Sequence, residues 1–114
     1  MKFIKLLVPA VLAALLSIST SVLAADIDVD AAMALAKKND CFKCHAIDKT
    51  KKGPSYKKVA AKYKGKADGE AKLITNFTTG PKVKLEDGTE EEHKVINTKD
   101  LKEQKNLAQW ILSQ

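Results

Sequence analysis

Cys41-Phe42-Lys43-Cys44-His45 is the stretch on which the reading of this chain turns. Two thiols three positions apart, followed at once by a histidine, form the attachment pattern for a c-type haem. Each thiol can add across one vinyl group of the porphyrin, and the histidine is then carried beneath the ring to bind iron. Cys41 and Cys44 are therefore the expected covalent anchors and His45 the expected proximal ligand. A neutral imidazole bonds iron through one nitrogen while the other donates to a carbonyl, which fixes tautomer and ring orientation.

Toward the N-terminus, Lys2 and Lys5 precede an apolar run from Leu6 to Leu16 broken by Pro9, and Val22-Leu23-Ala24 stands before Ala25 as a small-residue cleavage site. Residues 1–24 are expected to be a signal peptide that is cleaved, delivering residues 25–114 to the periplasm. The alternative is an uncleaved anchor over the 20 residues Leu6 to Ala25; the Ser, Thr and Pro within them weigh against it. Removing 24 of 114 residues leaves 90, one domain too small for a large independent core. The two cysteines cannot supply a useful staple, since a bond between positions 41 and 44 closes a trivial loop. A buried porphyrin would provide the missing apolar mass, and aromatic residues at 5% of the chain fit a core built around a flat cofactor.

Of 20 basic and 14 acidic residues the leader takes two lysines, so 18 against 14 remain, a net charge of +4. Every base is lysine. Arginine is favoured where phosphate is gripped bidentately, so its absence argues against a nucleic-acid module. Lys49, Lys51, Lys52, Lys57, Lys58, Lys62, Lys64 and Lys66 crowd the segment after the haem motif. They read either as a solvated face or as a basic rim that steers redox partner proteins with acidic docking surfaces.

The remainder reads as short helices joined by loops. Asp28 or Asp30 can cap a helix through Ala31 to Lys38 that delivers the chain into Cys41. Met33 within it is expected to fill core. Gly53-Pro54 breaks the loop after the motif, and Pro54 suits the start of a helix through Ser55 to Tyr63, closed by Gly65. A third helix is predicted over Glu70 to Thr78, with Leu73, Ile74 and Phe77 on one side and Gly80-Pro81 as its stop, followed by a polar loop. Lys99 to Leu112 carries Leu101, Leu107, Ala108, Ile111 and Leu112 at helical period behind a cap at Thr98 or Asn97. No segment alternates with period two over strand length, so the expected class is all-α, about four short helices.

Three blocks in order, Cys41 to Asp48, Gly53 to Tyr63 and Leu107 to Ser113, resemble the class I cytochromes c, particularly the small bacterial periplasmic monohaem type of the c-551/c-552 kind. The resemblance implies helices wrapped around one covalently attached haem c, with the first and last helices crossing. It further implies that the Pro54 carbonyl accepts from the His45 ring, that Trp110 packs near the haem, and that the protein is a monomeric electron shuttle without enzymatic activity or stable membrane insertion.

The chain departs from that family at the distal ligand. The family places a methionine some sixteen or seventeen residues before the C-terminal tryptophan; here His93 stands 17 residues before Trp110 and is the one histidine besides His45. His93 is the candidate distal iron ligand, with water, Asn97 or one of Lys82, Lys84 and Lys94 as alternatives. A second imidazole favours ferric iron more than a thioether does, so a lowered potential is expected. Glu90, Glu91 and Glu92 would act in the same direction if close to the iron, or form a hydrated run if not. An open distal face would instead suit a haem sensor or gas-binding protein. Two cysteines with two histidines also suggest zinc, but Cys44 and His45 are adjacent and poorly placed for joint tetrahedral ligation. A thiol oxidoreductase would need a strand-helix-strand scaffold that these helices do not suggest.

Overall fold

Side-chain caps set where the helices begin. A computed structural model describes residues 26–114, so the leader expectation lies outside the described residues. Asp28 opens α1 (Val29–Lys38) by accepting from the Ala31 amide, and Ser55 opens α2 (Tyr56–Tyr63) by accepting from Lys58. The third helix, α3 (Gly69–Thr79), ends on Gly80 in the left-handed region at φ 64°. The fourth, α4 (Leu101–Leu112), is capped by Asp100, whose carboxylate accepts from Lys102. Thr98 and Asn97, expected as its caps, lie upstream and serve other bonds: the Asn97 amide donates to Asn39 Oδ1 at 2.9 Å.

Alanine decides how α1 meets α4. Ala32, Ala36 and Ala108 are fully buried where the helices pack, and such short side chains let the backbones approach closely. Asp28 and Asn106 lock the pair with two reciprocal bonds, backbone amide to Oδ1 at 2.9 Å and Nδ2 to backbone carbonyl at 2.8 Å. Leu107, Trp110 and Ile111 of α4, Tyr56 of α2, and Leu73 and Phe77 of α3 complete the core. Two apolar residues do not join it as expected. Met33 on α1 and Leu101 in the first turn of α4 are exposed.

The segment after Pro81, expected as an irregular polar loop, is an antiparallel hairpin of β1 (Lys82–Lys84) and β2 (Glu90–Glu92). Its register sets Lys82 opposite Glu92 and Lys84 opposite Glu90, and such cross-strand opposite charges each stabilise by roughly 0.2–1 kcal/mol. Asp87 holds the tip by accepting from the Thr89 amide and hydroxyl at 2.9 and 2.6 Å, and Gly88 takes φ 85°. The ladder continues one pair beyond the strands, since the His93 amide donates to Pro81 O at 2.8 Å. His93 therefore sits at the base of a hairpin. No helix among the described residues is long and apolar enough to cross a membrane.

Candidate functional site

The site begins at the end of α1, where the chain tightens into a single 3-10 turn, Cys41–Lys43. The His45 amide donates to Cys41 O at 2.9 Å, which closes the turn and brings the backbone of His45 back beside the first cysteine. Cys41 and Cys44 are both half-buried. Burial pushes the Cys41 thiol above its ordinary range.

A loop then returns beneath His45. Gly53 N donates to Cys44 O at 2.8 Å, and His45 Nδ1 lies 2.7 Å from Pro54 O. A carbonyl can only accept, so Nδ1 carries the proton and Nε2 keeps its lone pair. Burial holds the His45 imidazole below its usual range, against the opposing pull of the Pro54 bond, which favours the neutral ring that metal ligation uses. Gly53 is there because nothing larger fits: a Cβ would stand 2.9 Å from His45 Cε1 and 3.2 Å from Nδ1. Gly53→Ala is therefore expected to tilt the ring and to destabilise the protein by about 1–3 kcal/mol, read as a lower denaturant midpoint.

His93 arrives from the hairpin. Its Nδ1 lies 2.9 Å from Lys94 O, so by the same reasoning Nδ1 donates and Nε2 is left free. The two rings stand with centroids 6.1 Å apart and planes 42° from parallel. Two imidazoles on opposite sides of one iron, each about 2 Å from it by the nearer nitrogen and about 1 Å more to the ring centre, hold their centroids about 6 Å apart. The chain thus offers two thiols and two imidazoles with free Nε2, the imidazole centroids separated by the distance that sharing one iron requires. That donor set fits a covalently held haem.

Around it lies an aromatic group. Tyr56 stacks on His45 at 5.0 Å, and Trp110 meets Tyr56 edge-on at 5.4 Å and Phe42 at 6.3 Å. Burial pushes the Tyr56 phenol well above its usual range, so it stays protonated. Trp110 thus reaches the His45 region through Tyr56 and Phe42.

Of the other residues considered for the distal face, the Asn97 amide donates to Asn39, Lys94 Nζ bonds Asp40 Oδ2 at 2.7 Å, and the exposed Lys82 and Lys84 lie on the hairpin's first strand. Two site-bordering residues escape sequence reasoning: Asn39, which is buried, and Asp40, which takes a left-handed φ of 58°. The Asn-Asp pair directly before Cys41 was the available signal, since both residue types tolerate that conformation. Lys94, hydrogen-bonded to it, and nearby Lys43 hold the Asp40 carboxyl below its ordinary range.

The family model for cytochrome c matches residues 29–114. The chain belongs to the cytochrome c family. The cytochrome accordingly has the class I fold, carries one covalently attached haem c and transfers electrons. It is 63% identical to the class 1 cytochrome MtoD from Sideroxydans lithotrophicus ES-1, whose crystal structure superposes with a TM-score of 0.74 over 77% of this chain and 97% of that one. Wild-type Nitrosomonas europaea cytochrome c552 is 31% identical, with a TM-score of 0.56 over 71% of this chain and 96% of its own. Cytochrome c-551 of Pseudomonas aeruginosa is 38% identical over 80 residues, 70% of this cytochrome and 73% of the relative.

Proposed function

We propose that this cytochrome is a periplasmic single-electron shuttle in which Cys41 and Cys44 form the thioether links and His45 and His93 hold the iron from opposite sides. The 6.1 Å separation of the two rings is the observation that carries this reading. Each imidazole is oriented by a backbone carbonyl, Pro54 for His45 and Lys94 for His93. Pro54 and Trp110 belong to the haem environment, Pro54 through His45 and Trp110 through its aromatic neighbours. Haem supplies the one-electron couple; the chain sets its potential, its access to water and its docking surface. His45 and His93 together would hold the iron and leave no place on it for a substrate, so the protein would carry electrons without catalysis of its own. Two imidazoles in place of the usual imidazole and thioether set a potential below that of methionine-ligated relatives. Periplasmic delivery rests on residues 1–24 acting as a cleaved leader.

The test is spectroscopic. Ferric protein is expected to be low-spin with magnetic resonance typical of two imidazoles, and the native ferrous form is expected to resist carbon monoxide at neutral pH. Ready uptake of the gas by the native ferrous form would establish the open distal face instead.

Partner choice follows from the lysines of the loop after the motif and of α2, all exposed. They suit acidic partners, met by a monomer. Lys57→Glu with Lys58→Glu is expected to slow oxidation by anionic ferricyanide on the order of tenfold at low salt. The difference should shrink as ionic strength passes about 0.15 M, where the screening length is about 8 Å. A rate indifferent to both changes would leave the lysines as a solvated face.

A further inference from the structure

Asp40 occupies a conformation that glycine would adopt without strain, φ 58°, immediately before the first cysteine of the haem motif. Its carboxylate is occupied. Oδ2 accepts from Lys94 Nζ at 2.7 Å, and Oδ1 lies 3.4 Å from Lys43 Nζ, inside the motif itself. Lys94 follows His93 directly and works at both ends: its carbonyl accepts the His93 ring N–H, and its ammonium reaches Asp40. Next to Asp40, buried Asn39 accepts from the Asn97 amide at 2.9 Å while donating to Leu35 O at 2.9 Å. Two consecutive residues on the proximal side thus hold positions 94 and 97 of the distal segment.

We propose that Asp40 is a positioning residue for the distal ligand: by holding Lys94 it latches His93 over the iron and keeps the sixth position closed to small ligands. The proposal rests on His93 being that ligand. For His93 to leave the iron, the carbonyl that orients its ring must move, and Lys94 ties that residue to the segment anchored at Cys41. Asn39 holds Asn97 and the buried Ile96 donates its amide to Phe77 O at 2.9 Å, so opening in the native protein involves residues 93 to 95 rather than the whole loop. Both partners of the ion pair are partly solvated, with 61% and 40% of their side chains exposed. A pair of that kind shifts an opening equilibrium by about two- to fivefold.

The experiment follows carbon monoxide uptake by the ferrous holoprotein at saturating gas, where the rate reports how often the distal ligand leaves. Asp40→Gly removes the carboxylate and eases the backbone, so thermal stability should hold or rise while uptake quickens about two- to fivefold. A merely structural residue would not separate those two readouts. Lys94→Gln should quicken uptake by the same factor, Lys94→Arg should restore a rate close to the native one, and Asp40→Gly with Lys94→Gln together should add nothing further. Rates within about 1.5-fold of native in both single variants overturn the latch. A His93→Ala spectrum identical to that of the native protein overturns the ligand assignment and the latch together. A changed His93→Ala spectrum beside unchanged Asp40→Gly and Lys94→Gln rates removes the latch alone.

Discussion

Exchanging His93 for methionine is expected to raise the reduction potential by on the order of 0.1 V, part of the roughly 0.8 V that axial ligands span. A thioether donates less strongly than imidazole and favours ferrous iron. The hairpin helps such a substitution succeed, because the position is fixed by backbone bonds the new side chain does not disturb. The residue 93 amide is held by Pro81 O, and Gly80 passes so close that a Cβ there would lie 2.7 Å from the residue 93 carbonyl oxygen. Voltammetry of native and variant proteins measures the shift, and a near-infrared charge-transfer band typical of methionine ligation confirms its cause. A potential unmoved by His93→Met, with an unmoved spectrum, would mean that another group occupies the distal position.

The second large effect concerns folding. Cys41→Ala with Cys44→Ala is expected to yield a polypeptide of bare mass with little cooperative structure. The reason lies in the core. Its most deeply buried residues are mostly alanines, and Leu107 is the one large side chain below 2% exposure among the described residues. Each buried alanine contributes little apolar area, and a domain of this size is marginal without a staple. The covalently attached porphyrin is that staple, and Tyr56, Phe42 and Trp110 are the aromatic residues grouped beside His45 that would pack with it. Mass spectrometry and circular dichroism after expression in a host able to mature cytochromes check both parts. A sharp thermal transition in the haem-free chain would show that the helices suffice by themselves.

Local chemistry was legible in the sequence and tertiary decisions were not. The cap at Asp28, one of the two aspartates expected there, follows from a side chain reaching an amide three residues on, a property of the segment alone. Ser55, expected as the first residue of its helix, caps it instead. The start of α4 was misread because Asn97, Thr98 and Asp100 are all capping types. The choice fell to Asp100 once Asn39 had engaged the Asn97 amide and Thr98 had bonded Glu103. The hairpin escaped because its strands are three residues long and Glu90, Glu91 and Glu92 are all exposed, leaving no alternation to detect. In the site, the Cys-x-x-Cys-His spacing announces its chemistry within five residues. The partners of Asp40 and Asn39 lie 54 and 58 positions away, and no local pattern announces them.

The hairpin tip has a use of its own. Gly88 has open space around it, and Asp87 and Thr89 close the turn well outboard of the Pro81–His93 pair. Residues spliced in at Gly88 would be absorbed by solvent rather than transmitted inward. That makes the tip a permissive port, where an affinity handle, a fluorophore or a second electron-carrying module could be grafted to wire the protein to a surface without retuning it.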